Sequence, residues 1–341
     1  VRFGISLAFL HVELSSMPQT ITLIVPEHGK TQRLDVFCST VIPNMTRSKL
    51  KKGLQSVLLN GAPAKLSSSV RAGDRISIIW KNPEPESLIP EPLPLTVLFE
   101  NEDVIVVNKQ AGMVTHPAAG NWSGTLVHAL AHYRLYTSPV HDEFAKRLEA
   151  KQGQANFEEL LRMGIVHRLD KETSGVLITA RNTAAEDYLK KAFKLRKTEK
   201  YYLALLNGVP AHQSGVIETS VFRDPRVRIR FAASADLSKG KYARSRYKVL
   251  HIYGRYSFVM FKIDTGRTHQ IRLHARFLGC PVIGDMLYGN DKAAWKQYGL
   301  QLHAYRLRLR LPCMREPSVF TAPLPERFRT VLARLRNSGG R

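Results

Sequence analysis

The chain has 341 residues, of which 51 are lysine or arginine and 28 are aspartate or glutamate, so its formal net charge is +23. This length predicts about two domains. An apolar fraction of 44% allows a substantial core, which excludes a disordered chain and a small disulfide-stapled scaffold. The excess of positive charge indicates a polyanionic partner.

Hydropathy and cysteine usage narrow the class of protein further. No stretch approaches the roughly 18 to 20 consecutive apolar residues of a membrane span, which excludes an integral membrane protein. The three cysteines, Cys38, Cys280 and Cys313, are an odd number without C-x-x-C spacing. They predict no disulfide framework and no zinc site, and we expect each to be a small buried apolar side chain. This usage is typical of the reducing cytoplasm, where we expect a monomer.

A proline-rich segment at 83–94 separates two parts of the chain. It holds five of the 18 prolines, which favours an extended linker over a helix or a central strand. We assign 31–82 to a small domain and 95–326 to a large one. Residues 1–30 are left unassigned, and 327–341 are interpreted as a basic C-terminal tail.

The small domain carries a helical pattern with one basic face. Apolar residues at i, i+4, i+7 and i+8 predict a helix over 47–58. Its other face carries four cations, Arg47, Lys49, Lys51 and Lys52. Short strands are predicted at 57–59 and 75–80. From these residues alone, a solvated helix surface is the alternative to an anion-binding face.

Four segments of the small domain resemble a known module, the alpha-L RNA-binding domain. They are 33–35, 46–48, 57–61 and 70–76. The resemblance implies a compact domain whose basic residues bind RNA.

Two helices are predicted in the first half of the large domain, after a hairpin at 95–99 and 104–107. Ser123 is expected to cap the first, which buries Leu126, Ala129, Leu130 and Tyr133. The second begins at a capping box, Thr183–Glu186, and buries Ala185, Leu189, Ala192 and Phe193. Between them, 138–162 is expected to be a charged, partly helical surface insertion.

Alternating apolar residues predict several closely spaced strands in the second half. They are at 201–206, 216–222, 226–231, 244–252 and 257–263. Because the strands outnumber the helices, we predict an α+β fold with a mixed, largely antiparallel sheet flanked by helices.

The segment at 164–178 has the strongest chemical character. Two apolar stretches flank nine mostly polar residues, in which cations surround Asp170. A loop held between two core strands would position this carboxylate rigidly, and the cations would favour its ionised form. An ordinary surface ion-pair cluster is the alternative.

Two further segments carry candidate site residues. In 264–276, Thr268 is a good N-cap, and the helix start beside Arg267 suits a phosphate. Arg272 on this helix could pair with a carboxylate, and a structural salt bridge is the alternative. In 197–206, strand alternation places Tyr202 opposite Tyr201, where it could stack on a base or belong to the core.

These segments together resemble the RluA-type RNA pseudouridine synthases, over about residues 31–325. His167-Arg168-Leu169-Asp170 followed by Lys171-Glu172-Thr173-Ser174-Gly175 carries most of the resemblance, and 107–117 and 284–289 support it. The expected activity is the isomerisation of uridine in RNA to pseudouridine, without a metal or an organic cofactor. The resemblance favours large-subunit ribosomal RNA as the substrate, with transfer RNA as the alternative.

The resemblance also implies roles for individual residues. Asp170 would act as a nucleophile on the anomeric carbon or as the base that takes the 2′ proton. Arg272 would pair with Asp170, Tyr202 would stack on the flipped base, and Arg168 would fill the vacated position in the RNA. Four neighbours would shape the pocket or hold phosphate: Arg267, Thr268, His269 and Gln270.

Two other functions compete with this one. A non-catalytic RNA-binding or ribosome-assembly protein would not need a lone carboxylate in a cationic cleft. A nucleoside glycosidase would be expected to use two carboxylates and would not need the large positive charge.

Overall fold

The computed structural model describes residues 18–27, 31–43, 45–81, 89–118, 121–150, 164–227, 229–290 and 292–338. The chain divides into two compact units, Val1–Leu88 and Ile89–Arg341. The first half of the predicted linker, 83–88, lies outside the described residues. No helix in the described ranges has the length and apolar character needed to cross a membrane.

The first unit is a small sheet covered by two helices. Its elements are β1 Gln19–Ile24, β2 Gln32–Arg33, α1 Leu34–Val41, α2 Arg47–Gly53, β3 Leu54–Leu59, β4 Ala62–Pro63, β5 Ser69–Val70 and β6 Arg75–Trp80. Four strands pair in the order β1-β6-β3-β4, and β2 pairs with β5. Ile21 from β1 joins Leu34, Leu50, Ile76 and Trp80 in the core, so part of the unassigned N-terminal segment belongs to this unit.

The helix predicted over 47–58 ends at Gly53, and that prediction was wrong for its second half. A Cβ atom on Gly53 would lie 2.2 Å from the carbonyl oxygen of Lys81, so only glycine allows this close approach. The following residues then pair with β6 as strand β3. Strand pairing therefore overrides the helical spacing of the apolar residues. The strands predicted at 57–59 and 75–80 are confirmed.

The second unit is built on one large sheet. Its elements are β7 Thr96–Glu100, β8 Val104–Lys109, α3 Leu126–Tyr136, α4 Glu143–Ala150, β9 Ser174–Ala180, α5 Thr183–Lys194, β10 Glu199–Asn207, β11 Ser214–Arg223, β12 Phe231–Ser234, β13 Lys241–Tyr253, β14 Tyr256–Ile263, α6 Gln270–Phe277, α7 Lys292–Trp295, a 3-10 turn Lys296–Tyr298, β15 Leu302–Arg310, β16 Pro317–Thr321 and α8 Glu326–Ser338.

The sheet has the mixed, largely antiparallel character that the sequence predicts. Its order is β12-β11-β13-β14-β10-β15-β9-β8-β7, with β16 added beside β15. Within the described residues, β9 and β15 form its one parallel pair. Helices α6 and α8 cover opposite faces of β10, because Ala204 and Leu206 pack with α6 whereas Leu203 and Leu205 pack with α8.

The C-terminal segment is a packed helix, so the interpretation of 327–341 as a tail was wrong. Helix α8 buries four of its own apolar side chains, Phe328, Val331, Leu332 and Leu335. Their spacing of three and four residues is that of a helix face, and the arginines between them obscured it. Residues 339–341 lie outside the described residues.

Three helices begin at residues other than those predicted. Thr125, not Ser123, caps α3, and its hydroxyl oxygen lies 2.7 Å from His128 Nδ1. Asn182, not Thr183, caps α5, and its side-chain oxygen accepts from the Ala185 amide at 2.8 Å. Helix α6 begins after His269 rather than Thr268. Neighbouring polar residues compete for each cap, and the tertiary position of the turn decides between them.

Three other expectations also needed correction. The described residues of the predicted strand before Phe231, 226–227 and 229–230, form no strand, and β12 begins at Phe231. The predicted surface insertion buries Phe144 and Leu148 of α4, while 151–163 lie outside the described residues. Cys38 and Cys280 are buried as expected, but Cys313 is exposed. Its φ of 59° places it in a left-handed turn at the surface.

Candidate active site

One pocket, of about 100 Å³, collects the residues that the sequence selected. The loop at 167–173, called the Asp170 loop below, leads into β9, and the turn at 266–269 leads into α6. Tyr202 enters from β10. The pocket lining includes every site residue predicted for the large domain: Arg168, Asp170, Tyr202, Arg267, Thr268, His269, Gln270 and Arg272.

The backbone of the Asp170 loop is held by hydrogen bonds from distant segments. Thr115 Oγ1 donates to the carbonyl of Leu169 at 3.0 Å. The carbonyl of Lys171 accepts from the Gly112 amide at 2.9 Å and from Lys109 Nζ at 3.2 Å. Carbonyls on both sides of Asp170 are therefore fixed by the segment that follows β8, which restricts the position of its carboxylate.

Lys109 is a buried cation with three backbone partners. Its side chain is 1% exposed, and Nζ also donates to the carbonyls of Gln110 and Met113, each at 2.8 Å. The pKa of Lys109 is lowered to about 7, mainly by burial and secondarily by the charge of Arg327, while Asp170 and Glu172 act in the opposite direction. Sequence reasoning assigned Lys109 no role, although it lies in one of the two supporting segments.

Arg272 makes its close ion pair with Asp285 and only a longer ion-pair contact with Asp170, the partner predicted from the sequence. Its Nε and Nη2 donate to the two carboxylate oxygens of Asp285 at 2.7 Å each. Its Nη1 lies 3.9 Å from Asp170 Oδ2, which is too long for a hydrogen bond. His269 Nε2 lies at the same distance from that oxygen. Arg272 therefore faces Asp170 but is oriented by Asp285.

Asp285 is the main site residue that sequence reasoning missed. Its side chain is 0% exposed, and Oδ1 also accepts from the amides of Leu287 and Tyr288 at 2.9 and 3.0 Å. Burial raises the pKa of Asp285, but the hydrogen bonds and charge of Arg272 and those two amides outweigh it, so the pKa falls below its ordinary value. The supporting segment at 284–289 contained this residue, but nothing local indicated its partner.

Tyr202, and not its neighbour Tyr201, reaches the pocket. Tyr201 lies on the other face of the sheet, where its hydroxyl donates to Glu199 at 2.8 Å. Burial, and secondarily the charge of Asp170, raises the pKa of Tyr202 well above its usual range. The Tyr202 phenol is therefore neutral beside the carboxylate.

Gln270 shapes the turn into α6 and is not free to hold phosphate. Its Oε1 accepts from Thr265 Oγ1 at 2.8 Å and from the Arg267 amide at 2.9 Å. Its Nε2 donates to the carbonyl of Arg244 and to Ser245 Oγ, both at 3.0 Å. All of its hydrogen-bonding capacity is used inside the protein.

The other pocket residues differ in their exposure and in their hydrogen bonds within the protein. Arg168 and Thr268 are exposed, so they can meet a ligand directly. Arg267 lines the pocket, and its Nε donates to the carbonyl of Tyr242 at 3.0 Å. His269 adopts a φ of 57°, and its Nδ1 lies 2.8 Å from the hydroxyl of Tyr288.

Comparisons with known proteins agree with this geometry. The fold is similar to that of human RNA pseudouridylate synthase domain containing 4, with a TM-score of 0.54, 22% identity, and coverage of 71% of this chain and 93% of that one. A family model described as RNA pseudouridylate synthase matches residues 103–277. An uncharacterized RNA pseudouridine synthase of Chlorobaculum parvum is 36% identical over 93% of this chain and 98% of its own length. The chain belongs to the RNA pseudouridine synthase family.

The name of a second relative states the RNA on which that relative acts. Ribosomal large subunit pseudouridine synthase D of Neisseria meningitidis is 36% identical over 96% of this chain and 84% of its own length. The resemblance to RluA-type enzymes is thus confirmed, and this synthase isomerises uridine in RNA to pseudouridine. Within the described residues, no cluster of three or more histidine, cysteine or acidic side chains is arranged to hold a metal ion.

Arg327 of α8 gives the Asp170 loop of the synthase a second support. Its Nη2 donates to the carbonyl of Glu172 at 2.8 Å and contacts Ser174 Oγ at 3.4 Å. We expect Arg327→Met to lower kcat about tenfold with little change in KM, because a loosened loop misplaces the carboxylate without removing RNA contacts. Steady-state kinetics on a uridine-containing RNA measures both constants. Arg329→Met, two residues away on the same helix and exposed, is the control, and an equal loss there would contradict the role of Arg327.

A buried histidine makes the stability of the synthase depend on pH. His274 of α6 is 0% exposed and lies 2.9 Å from Ser245 Oγ and 3.0 Å from Thr219 Oγ1. Burial lowers its pKa from 6.5 to about 4. Between these values the unfolded chain binds more protons, so stability falls as pH falls from about 6.5 to 4, by up to about 3 kcal/mol for this residue.

Urea unfolding at pH 7 and pH 4.5 measures this effect. His274→Gln keeps a side chain that can bond to both hydroxyls but does not titrate, so its stability should vary less with pH than that of the wild type. His116 and His303 also have pKa values lowered by burial. Part of the dependence of stability on pH should therefore remain in the variant. An unchanged slope in the variant would contradict the assignment.

The four basic residues predicted to bind RNA in the first unit differ in their exposure and in their ion pairs. Arg47 donates to Asp35 at 2.7 Å, and Arg33 donates to the same carboxylate at 3.0 Å. The hydrogen bond from Arg33, more than the others, lowers the pKa of Asp35 to about 2. Lys51 and Lys52 are exposed on α2, and Lys49 is half-buried. The charge of Arg47 is therefore partly compensated, whereas the last turn of α2 presents two exposed cations.

Proposed function

We propose that Asp170 is the catalytic group of this synthase and that its substrate is large-subunit ribosomal RNA. The observation that carries the first part is that Asp170 is the only carboxylate among the described residues lining the pocket. A single carboxylate surrounded by cations suits a reaction at the anomeric carbon in which the same carboxylate acts in every step. A glycosidase would be expected to use two carboxylates.

Isomerisation breaks the bond between N1 of uracil and the anomeric carbon and forms one from carbon 5 to the same carbon. In one route Asp170 attacks the anomeric carbon as N1 leaves, and the rotated base then displaces it. In the other, Asp170 takes the 2′ proton and later returns it. In both, the proton on carbon 5 is lost and N1 gains one, so the overall change is an isomerisation.

The neighbours of Asp170 support distinct roles. Arg272, 3.9 Å away, presents a positive charge to the carboxylate without occupying its oxygens. The raised pKa of Tyr202 keeps the phenol protonated, which favours stacking on the flipped base over proton removal from carbon 5. Arg168 is exposed beside the pocket, where it can fill the position that the flipped uridine leaves in the RNA.

The substrate assignment rests on similarity to ribosomal large subunit pseudouridine synthase D of Neisseria meningitidis. Mapping pseudouridine in total RNA from cells with and without this gene tests it. We expect specific sites in large-subunit ribosomal RNA to be lost and to return with the wild-type gene but not with Asp170→Ala. If the lost sites lie only in transfer RNA, the ribosomal assignment is wrong.

The first unit is proposed to be an alpha-L RNA-binding domain that uses α2. Its support is the resemblance of four segments to that domain and the two exposed cations Lys51 and Lys52. Replacing both with glutamine should weaken RNA binding and lower the slope of log affinity against log salt by about 1.5, since each lost phosphate contact removes about 0.7 to 0.9. Binding titrations from 50 to 200 mM KCl measure the slope. Lys65 and Lys81, which are exposed and lie outside the four segments that carry the resemblance, are the matched controls, and an equal effect there would contradict the proposal.

A further inference from the structure

A groove of about 560 Å³ lies in the second unit, separate from the pocket around Asp170. Its walls come from the C-terminal half of α5, the segment before β10 and the end of β15. None of its lining residues also lines the Asp170 pocket. It is called the α5 groove below.

The α5 groove is strongly cationic. Lys191, Arg196, Lys197 and Arg310 line it and are exposed. Within the described part of the chain, no carboxylate lies within ion-pairing distance of these four side chains. The acidic side chain in the lining is Glu199, which already contacts Arg308 at 3.2 Å and Lys262 at 3.4 Å. The groove therefore has positive charge that the protein itself does not neutralise.

The α5 groove also presents apolar and aromatic surface. Tyr188 of α5 is 38% exposed, and Leu195, directly after the helix, is 52% exposed. Cations spread along an open groove match a chain of phosphates better than one small anion, which would need donors converging on a point. An aromatic ring beside such cations is the combination that binds single-stranded nucleic acid.

The position of the α5 groove relates it to the Asp170 loop. Phe193 of α5 stacks on His167 of that loop, with ring centroids 4.6 Å apart. Lys200 of β10 lies over the ring of Phe193 at 5.8 Å, and Tyr202 lies two residues further along the same face of the strand, about 7 Å away. A nucleotide a few positions from a uridine in the pocket can therefore reach the groove.

We propose that the α5 groove binds the phosphates and a base of the RNA strand that flanks the target uridine. The cations hold the backbone, and Tyr188 stacks on one base. This contact lies within the second unit and adds to any contact made by the first. It rests on RNA being the substrate and not on the role of Asp170.

Salt-dependent binding of a 20-nucleotide oligouridylate tests the electrostatic part. The groove variant carries Lys191→Gln, Lys197→Gln and Arg196→Asn, the last because asparagine tolerates the φ of 57° at that position. Loss of three phosphate contacts lowers the salt slope by about 2, so the affinity difference from the wild type shrinks about 20-fold between 50 and 200 mM KCl. The control removes three arginines of α8, namely Arg329, Arg334 and Arg336. Equal slopes for the two triple variants would overturn the proposal.

Tyr188→Ala tests whether the ligand is RNA and not any polyanion. The variant should bind the oligouridylate about tenfold more weakly at every salt concentration, because stacking does not depend on counterions. Heparin, a polyanion without bases, should bind the variant and the wild type equally. An equal loss for heparin, or no loss for the oligouridylate, would overturn the base-stacking contact. Since Tyr188 and the three cations are exposed, circular dichroism should show unchanged melting for all variants.

Discussion

Asp170→Asn is expected to lower the rate of pseudouridine formation by about 10⁴-fold or more while RNA binding persists. Asparagine has nearly the same shape, so the loop and its hydrogen bonds remain, but its amide is a poor nucleophile and a poor base. Release of tritium from RNA labelled at carbon 5 of uridine measures turnover, and a filter-binding titration measures affinity. The expected result is loss of the first signal without loss of the second.

Glu172→Gln is the matched control for this experiment. Glu172 is an exposed carboxylate in the same loop, two residues away, and it does not line the pocket. Its replacement removes one negative charge from the loop, as Asp170→Asn does, but should leave turnover nearly unchanged. Substantial activity in Asp170→Asn, or equal losses in both variants, would show that the pocket carboxylate is not the reacting group.

Local sequence signals predicted the residues of the pocket better than the contacts among them. The polar stretch around Asp170 between apolar segments, and the strand alternation at Tyr202, are properties of neighbouring residues, so both could be interpreted directly. The ion pair of Arg272 with Asp285 joins a helix to a turn, and several acids could have been its partner. Only the packing of α6 selects one.

The same reason explains the missed supports of the Asp170 loop. Lys109 lies 61 residues before Asp170 in the sequence, and Arg327 lies 157 residues after it. Nothing in the residues next to either one indicates that both contact this loop. In the sequence, nothing distinguishes Lys109 from other lysines at the end of a strand. Arg327 is likewise one of many arginines in a basic C-terminal segment. Their roles arise from burial against particular carbonyl groups, which is a property of the folded chain.

Asp285→Asn is expected to destabilise the synthase by about 3 to 5 kcal/mol and to lower kcat about 100-fold or more. The substitution removes the carboxylate from a buried pair and leaves the Arg272 guanidinium without its partner, which is the costly way to break such a pair. It also frees Arg272 to approach Asp170. At 3.9 Å, Arg272 faces the carboxylate but leaves its oxygens available. A direct bidentate pair would occupy the oxygens that must react.

A double variant separates the loss of stability from the loss of turnover. Arg272→Met together with Asp285→Asn removes both charges, so urea unfolding should show recovery of much of the stability lost in Asp285→Asn alone. Turnover should not recover, because the Arg272 guanidinium that faces Asp170 is then absent. If the double variant regained activity with stability, Arg272 would matter only for packing. If Asp285→Asn alone lost neither stability nor turnover, Asp285 would not orient Arg272, and the predicted direct pairing of Arg272 with Asp170 would be the better description of the site.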